Sequence, residues 1–289
     1  MVRDRNSLNG KGSLRLATLA GACLLSACAP GGPRAETQDS ASSRAPTIVS
    51  LNPCLDAILV EIAAPDQVLA LSHYSRDPSG SSIPAGVAAQ YGVTGGTAEE
   101  VIALRPDLVL ASIYLPQPTR TALERAGLAV ATFGSPTTIA ESAAQVRKVA
   151  ALAGKAGAGE ALAARIATAS PQPPGAPISA LLWQPGEIVA GEQTLIAELL
   201  RQEGFASHAA ARGMRQADLV TLERVLADPP EVLLVAGDAP GQRHPLLARA
   251  SQTMQVAAFD PALLYCGGPT IPKARARLKA IRAEAERGL

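Results

Sequence analysis

One short stretch of sequence occurs twice in this chain, and the repeat limits the folds that the chain can adopt. Residues 97–111 read TAEEVIALRPDLVLA and residues 221–235 read TLERVLADPPEVLLV, with six identities at an offset of 124 (221 − 97). In each copy a threonine and a first-turn glutamate open a short helical pattern, and an apolar strand-like run follows a proline. The repeat therefore predicts two similar lobes, each containing this helix–strand unit.

The rest of the chain supports an α/β fold. Short β-branched or leucine-rich runs alternate with helical stretches on both sides of the break PQPPGAP at residues 171–177. We expect two similar Rossmann-like lobes, joined by a long backbone helix, with a ligand cleft between them at the carboxyl ends of the strands. The interruption GKAGAG leaves open whether the connector is one helix or two. The expected boundaries are an N-terminal lobe at 47–136, a helical connector at 137–170 and a C-terminal lobe at 177–289.

The N-terminus reads as an export signal. Basic residues precede an apolar run from Leu16 to Ala27 that is too short to span a bilayer. The run ends in Leu-Ser-Ala-Cys, which resembles the lipobox of bacterial lipoproteins, so residues 1–27 are a predicted lipoprotein signal peptide and Cys28 the predicted lipidation site. Residues 28–46 are rich in Pro, Gly, Ser and Thr and are expected to form a flexible tether.

The aromatic residues are few, at 3% of the chain, and several follow predicted strands. Tyr74, Tyr114, Trp183 and Tyr265 each come at or just after a strand end, which is where an α/β cleft binds ligands. We interpret them as a stacking surface for a large, partly apolar ligand, with packing against the sheet ends as the alternative for any single ring.

Motifs of several other protein classes are missing. The chain has no G-x-S-x-G elbow, and GKAGAG lacks the glycine spacing of a P-loop or a dinucleotide turn. The three histidines have no metal-ligand spacing, and we read His208 and His244 as solvated. With 26 basic and 25 acidic residues, nothing indicates nucleic-acid binding. We expect no catalytic residue, no bound metal of the protein's own and no cofactor.

From Thr47 onward the chain resembles the periplasmic substrate-binding proteins of ABC importers for cobalamin, ferric siderophores and haem. The stretches that carry the resemblance are IVSLNPCLDAIL, VLALSHYSRDP, GGTAEEVIALRPDLVLAS and ARGMRQADLVTLERVLADPPEVLLV. The resemblance covers nearly the whole mature chain. It implies a periplasmic monomer whose partners are an ABC permease with its ATPase and a metal-chelate ligand, and the predicted lipid on Cys28 would anchor it to the membrane.

The resemblance also implies two docking residues. In this family an acidic residue on each lobe docks into arginine pockets of the permease, and the matching positions are Glu99 and Glu223, again 124 apart (223 − 99). Both lie in the first turn of a predicted helix, where an acid also complements the helix dipole. We favour docking for this pair, and a capping role for Glu100.

The loop SHYSRDP resembles the S-x-Y-S-x-x-P loop of the cobalamin binders, in which the tyrosine lies against the corrin. In haem binders a tyrosine of the corresponding loop ligates iron. Tyr74 is therefore the first expected ligand contact, together with His73. Where cobalamin binders place tryptophans, this chain has Val93 and Ala217 or their neighbours.

The identity of the ligand stays open. A carboxylate-rich siderophore needs arginines, for which Arg76, Arg212 and Arg215 are candidates. We favour a cobalamin-like corrinoid, with a ferric siderophore or haem as the alternative.

Cys54 and Cys266 remain beyond the leader and Cys28, and each follows a predicted strand, one in each lobe. They form either a disulfide that joins the lobes or separate cleft thiols.

Two alternatives of another class remain. The first is an exported lipoprotein enzyme that uses the cleft, with Tyr74, His73 or Cys266 in a catalytic role. The second is an envelope adaptor without a small ligand.

Overall fold

The computed structural model describes residues 44–168, 171, 173–250 and 253–288. Within them the chain builds two sheets in succession. The signal peptide, Cys28 and nearly all of the predicted tether lie outside the described residues. The part from Arg44 onward forms one compact unit.

The first sheet contains five parallel strands in the order β3-β2-β1-β4-β5. Buried apolar runs make its central strands, as expected for a parallel sheet covered by helices on both faces. The strands are β1 (Ile48–Ser50), β2 (Val68–Ser72), β3 (Val93–Thr94), β4 (Leu108–Ser112) and β5 (Ala129–Phe133). The helices are α1 (Pro53–Ile62), α2 (Ala85–Ala88), α3 (Ala98–Leu104) and α4 (Gln117–Arg125).

The second sheet contains six strands, with the main order β11-β10-β6-β7-β9 and with β8 also paired to β6. Pairing is parallel except where β7 meets β6 and β9. The strands are β6 (Ile178–Trp183), β7 (Ile188–Ala190), β8 (Phe205–Ser207), β9 (Ala217–Leu219), β10 (Val232–Ala236) and β11 (Gln255–Phe259). The helices are α7 (Leu195–Gln202), α8 (Leu222–Ala227), α9 (Pro245–Ala250) and α10 (Ile271–Gly288).

Two helices, rather than one long helix, join the sheets. They are α5 (Ile139–Leu152) and α6 (Ala156–Ala167), which pack against each other as a hairpin. Gly154 turns the chain between them at φ +67°. Gly159 lets the pair come close, since a Cβ at this position would lie 2.1 Å from Cβ of Ala150. Thr138 caps α5 by accepting a hydrogen bond from the amide of Glu141, and the Glu141 carboxylate accepts from the amide and hydroxyl of Thr137.

A continuous apolar core runs through both lobes and the connector. Ile48 and Leu110 of the first sheet, Leu234 of the second, and Val146 and Ile166 of the hairpin belong to the same buried cluster. The two lobes and the connecting hairpin therefore share one apolar core. The predicted two-lobe α/β fold class is confirmed.

The repeat found in the sequence corresponds to equivalent structure in the two lobes. Thr97 caps α3 by accepting from the amide of Glu100, and Thr221 caps α8 by accepting from the amide of Arg224. The strands that follow, β4 and β10, occupy equivalent places beside the central strands β1 and β6. A hydroxyl at this cap replaces a missing intrahelical acceptor, which explains why both copies begin with threonine.

Candidate functional site

The carboxyl edges of the two sheets meet at a disulfide. Cys54 lies in the first turn of α1, directly after β1, and Cys266 follows β11. The two cysteines are bonded, their Cα atoms are 4.6 Å apart, and their positions in sequence differ by 212. Of the two alternatives left open by the sequence, the structure shows the disulfide. It joins the segment that follows the central strand of the first sheet to the segment that follows β11, an edge strand of the second sheet.

The chain beside this disulfide lies deep between the lobes. The amide of Gly268 donates to Oγ of Ser142 on α5 at 2.8 Å. Gly267 has φ +59°, and a Cβ there would lie 2.6 Å from the Leu195 side chain. Glycine is thus required for the close approach of this segment to α5 and α7.

The predicted ligand loop projects two rings from the end of β2. A short 3₁₀ turn, His73–Arg76, follows the strand directly. The rings of His73 and Tyr74 lie 4.0 Å apart between centroids, tilted by 35°, and Tyr74 is 50% exposed. Ser72 and Ser75, on either side of them, are buried. The turn therefore presents the two rings while its hydroxyls point into the lobe.

Those hydroxyls meet Asp56, a residue that sequence reasoning missed. Its Oδ2 accepts hydrogen bonds from the Ser72 amide at 2.9 Å and from Oγ of Ser72 and Ser75, each at 2.6 Å. Burial raises the pKa of Asp56 to about 7, and the hydrogen bonds from Ser72 and Ser75 act in the opposite direction. The available signal was an acid inside an otherwise apolar first helix, ahead of a loop with two serines.

Three other predicted contacts have accessible surface. Tyr114, after β4, is 80% exposed, and Tyr265 beside the disulfide is half-buried. Arg76 is exposed and its Nη2 donates to the carbonyl of Tyr91 at 2.8 Å, so part of its hydrogen-bonding capacity serves the loop itself. All three lie at the carboxyl edges of the sheets.

Arg215 and Arg212 lie in the segment before β9. Arg215 is exposed and its guanidinium lies beside the side-chain amide of Gln193. Arg212 pairs with Asp228 and donates to the carbonyl of His208 at 2.9 Å. Arg212 is therefore committed to structural contacts within the second lobe.

Two predictions for the second lobe are wrong: Trp183 as a ligand contact and His208 as a solvated side chain. Trp183 is 1% exposed, and its Nε1 donates to the carbonyl of Val220 at 2.8 Å. It is a core residue, because it belongs to a buried cluster of the second lobe and the segments at Val220 and Gly241 lie against its ring. His208 is buried rather than solvated, between Oγ of Ser179 and the carbonyl of Asp228.

The two predicted docking acids occupy equivalent, exposed positions. Glu99 is in the first turn of α3 and Glu223 in the first turn of α8, and both helices start at the carboxyl edge of their sheet. Hydrogen bonds from its own amide and from Thr221 lower the pKa of Glu223, so it carries a charge at neutral pH. Glu100 instead accepts from Thr94 and the amide of Gly95, which ties the preceding loop to the helix.

Two larger cavities lie in and beside the second lobe. One of about 590 Å³ lies at the carboxyl ends of β10 and β11, and Gly237, Asp238, Asp260 and Leu263 belong to its lining. Another of about 820 Å³ is polar and lies between the start of α5 and α7. None of the predicted ligand residues lines either cavity.

Two further properties concern the described residues only. Among them, no cluster of three or more His, Cys, Asp or Glu side chains is arranged to hold a metal ion. No helix in the described ranges has the length and apolar character to cross a membrane.

Family and structural comparisons agree with this architecture. A model of the family described as periplasmic binding protein matches residues 48–255, well over half of the chain. The chain therefore belongs to the periplasmic binding protein family, whose members bind solutes, and it is a periplasmic protein. No curated protein matches the sequence significantly.

Solved structures share the fold at low sequence identity. A periplasmic haem-binding protein from Roseiflexus sp. RS-1 is 22% identical, with a TM-score of 0.65, covering 83% of this chain and 99% of that one. A periplasmic haem-binding protein of Vibrio cholerae is 18% identical, with a TM-score of 0.66 and coverages of 82% and 98%. The vitamin B12-binding protein of Vibrio cholerae is 22% identical, with a TM-score of 0.62 and coverages of 84% and 98%.

Proposed function

We propose that this protein is the lipid-anchored substrate-binding component of an ABC importer, and that it captures a metal chelate and delivers it to the membrane permease. The observation that carries the proposal is the turn after β2, which holds the rings of His73 and Tyr74 at the surface beside the junction of the lobes. Rigid aromatic side chains bind flat, partly apolar ligands at a low cost in conformational entropy.

A macrocyclic chelate suits the groups available at this edge. Tyr74, Tyr114 and Tyr265 offer apolar rings with hydroxyl groups, and the cavity beyond β10 and β11 adds the carboxylates of Asp238 and Asp260. We favour a cobalamin-like corrinoid. Haem is the second candidate, because Tyr74 has an accessible hydroxyl and two of the similar structures are haem-binding proteins.

The ligand is tested by calorimetry and thermal shift on the chain that starts after Cys28, with cyanocobalamin, haem and ferric siderophores. We expect a 1:1 complex with one of them and a loss of affinity of about tenfold or more in Tyr74→Ala. Tyr74→Phe separates the candidates, because it preserves ring stacking on a corrin and removes an oxygen ligand to haem iron. A folded protein that binds none of the probes would contradict the proposal, and turnover of a probe would favour the enzyme alternative.

Delivery rests on the two exposed acids. Glu99 and Glu223 start equivalent helices on the two lobes, so they offer one negative charge per lobe to a permease. Opposite charges across a transient interface set its orientation and its encounter rate.

Charge reversal tests this role. Glu99→Lys with Glu223→Lys is expected to abolish uptake in cells and leave the affinity for the chelate unchanged. Asp66→Lys is the matched control, since Asp66 is an exposed acid at the opposite, amino edge of the first sheet. Unchanged uptake in the double variant would exclude these residues from docking.

A further inference from the structure

Both ends of the turn that carries Tyr74 are held by one carboxylate. Oδ2 of Asp56 accepts from the amide and hydroxyl of Ser72 and from the hydroxyl of Ser75. These two serines bracket His73 and Tyr74. The backbone on both sides of the two exposed rings is therefore held by a single buried oxygen atom.

This arrangement is costly for the fold. Asp56 is 0% exposed, and within the described ranges its Oδ1 has no hydrogen-bond partner. A buried carboxylate that is paired only with neutral donors loses more hydration than it regains, whereas a neutral side chain of similar size avoids that loss. Stability alone does not account for an acid here. What the acid supplies is three converging hydrogen bonds that fix the turn.

The helix turn that carries Asp56 is also fixed to the other lobe. Cys54 precedes Asp56 by two residues and is bonded to Cys266, which follows Tyr265 directly. The first turn of α1 thus has two connections. Asp56 bonds to the turn 72–75 of the first lobe, and Cys54 bonds to the segment that follows Tyr265 in the second lobe. Because the first turn of α1 is fixed to both lobes, a Tyr74 turn that moves away from Asp56 also changes its position relative to the second lobe.

We propose that Asp56 is a positioning residue of the ligand site: it holds the turn 72–75 so that Tyr74 is in its binding position before the ligand arrives. This inference rests on the proposed function, and it names a residue that contacts no ligand itself. Preorganisation of this kind raises affinity because the ordering of the turn is completed at folding rather than at binding.

The first experiment needs no ligand. Hydrogen–deuterium exchange of wild type and Asp56→Asn is compared peptide by peptide. We expect amides of residues 72–77 to exchange about tenfold faster or more in the variant, with β10 and β11 unchanged. Gln67→Ala is the matched control, since Gln67 is also a buried polar residue of the first lobe but donates to the carbonyl of Ala153, away from the turn.

The second experiment measures affinity in a double-mutant cycle with cyanocobalamin and haem as probes. We expect Asp56→Asn to weaken binding about tenfold in the wild-type background and to have almost no further effect in Tyr74→Ala, because Asp56 acts on the ligand only through the position of Tyr74. Gln67→Ala should leave affinity unchanged. An equal loss in both backgrounds would show that Asp56 acts through general stability and would overturn the proposal.

The two proposals fail separately. If the folded wild type binds neither probe, the chelate proposal fails, and the exchange experiment still decides whether Asp56 orders the turn. If Asp56→Asn does not fold, Ser75→Ala replaces it, since this variant removes one of the three hydrogen bonds and leaves the carboxylate in place. Unchanged exchange of residues 72–77 in the variant tested would overturn the positioning role.

Discussion

The two lobes share a repeated helix–strand unit but differ at the end of their central strands. In the first lobe β1 passes directly into α1, because Asn52 caps the helix by accepting from the amides of Cys54 and Leu55. In the second lobe β6 turns at Pro185–Glu187 and returns as β7, which pairs with it antiparallel. The central strand of the first lobe therefore leads straight into a helix, whereas in the second lobe β7 and β9 extend the sheet beyond β6.

The lobes also differ in which aromatic residues a ligand can reach. Tyr74 and Tyr114 follow strands of the first lobe and are exposed, whereas Trp183 ends β6 and is buried against the segments at Val220 and Gly241. The same sequence pattern, an aromatic residue at a strand end, gives a surface ring in one lobe and a core ring in the other. Local pattern shows where a strand ends, and segments distant in sequence determine what covers that end.

The largest predicted effect tests that contrast directly. Trp183→Ala should lower the free energy of unfolding by about 3–5 kcal/mol, because it leaves a cavity and removes the hydrogen bond to Val220. Tyr114→Ala should change it by less than about 0.5 kcal/mol. Urea unfolding of both variants measures the pair. Similar losses in the two would mean that the lobes end their strands in the same way.

A second prediction concerns buried carboxylates, which have a charged neighbour in the second lobe and only neutral hydrogen-bond donors in the first. In the second lobe Oε1 of the buried Glu203 lies 3.6 Å from Nε of Arg275, whereas in the first lobe Asp56 is held by hydroxyls and an amide. The pKa of Asp56 is raised to about 7, so the folded state binds its proton more tightly than the unfolded state. Its contribution to stability is complete below the unfolded-state pKa, near 3.8, and is lost as the pH rises through about 7.

Asp56→Asn removes this titration. Relative to that variant, wild type should lose about 2–3 kcal/mol of stability between pH 5 and pH 8. Denaturant unfolding at both pH values measures the difference between the two proteins. A difference that does not depend on pH would show that burial does not raise this pKa.

The smallest predicted effect tests the similarity of the lobes rather than their difference. Thr97→Ala and Thr221→Ala each remove an equivalent helix cap and should each cost about 1 kcal/mol. Thr→Ser at either site retains the hydroxyl and serves as the control. Chemical denaturation measures the loss in the free energy of unfolding of each variant. Clearly unequal losses would mean that the two copies are similar in sequence but not in structure.

Features set by local contacts were predictable from the sequence. Thr97 and Thr221 act as caps through residues three positions away, and the strands after them are marked by continuous apolar runs. The fold class followed from these units and their order. The hairpin β6–β7 was not predicted, because QPGEIVA reads as a loop and its strand is three residues long.

The site depends on contacts between distant parts of the chain. Asp56 meets Ser72 across 16 positions and Ser75 across 19, and nothing in the local pattern of α1 indicates these partners. Pairing of Cys54 with Cys266 was one of two open alternatives, since only the folded chain brings their segments together. Sequence reasoning therefore found the exposed ring of Tyr74 and missed the acid beneath it.

The Cys54–Cys266 bond also changes what a cut in the backbone can do. It closes a covalent ring from the first helix to the segment before the last one, and this ring contains most of both lobes. A protease that cleaves a single peptide bond anywhere inside the ring opens it without releasing a fragment, so the lobes stay attached to each other. Under oxidising conditions, two cuts inside the ring are needed to free a piece of the ring itself.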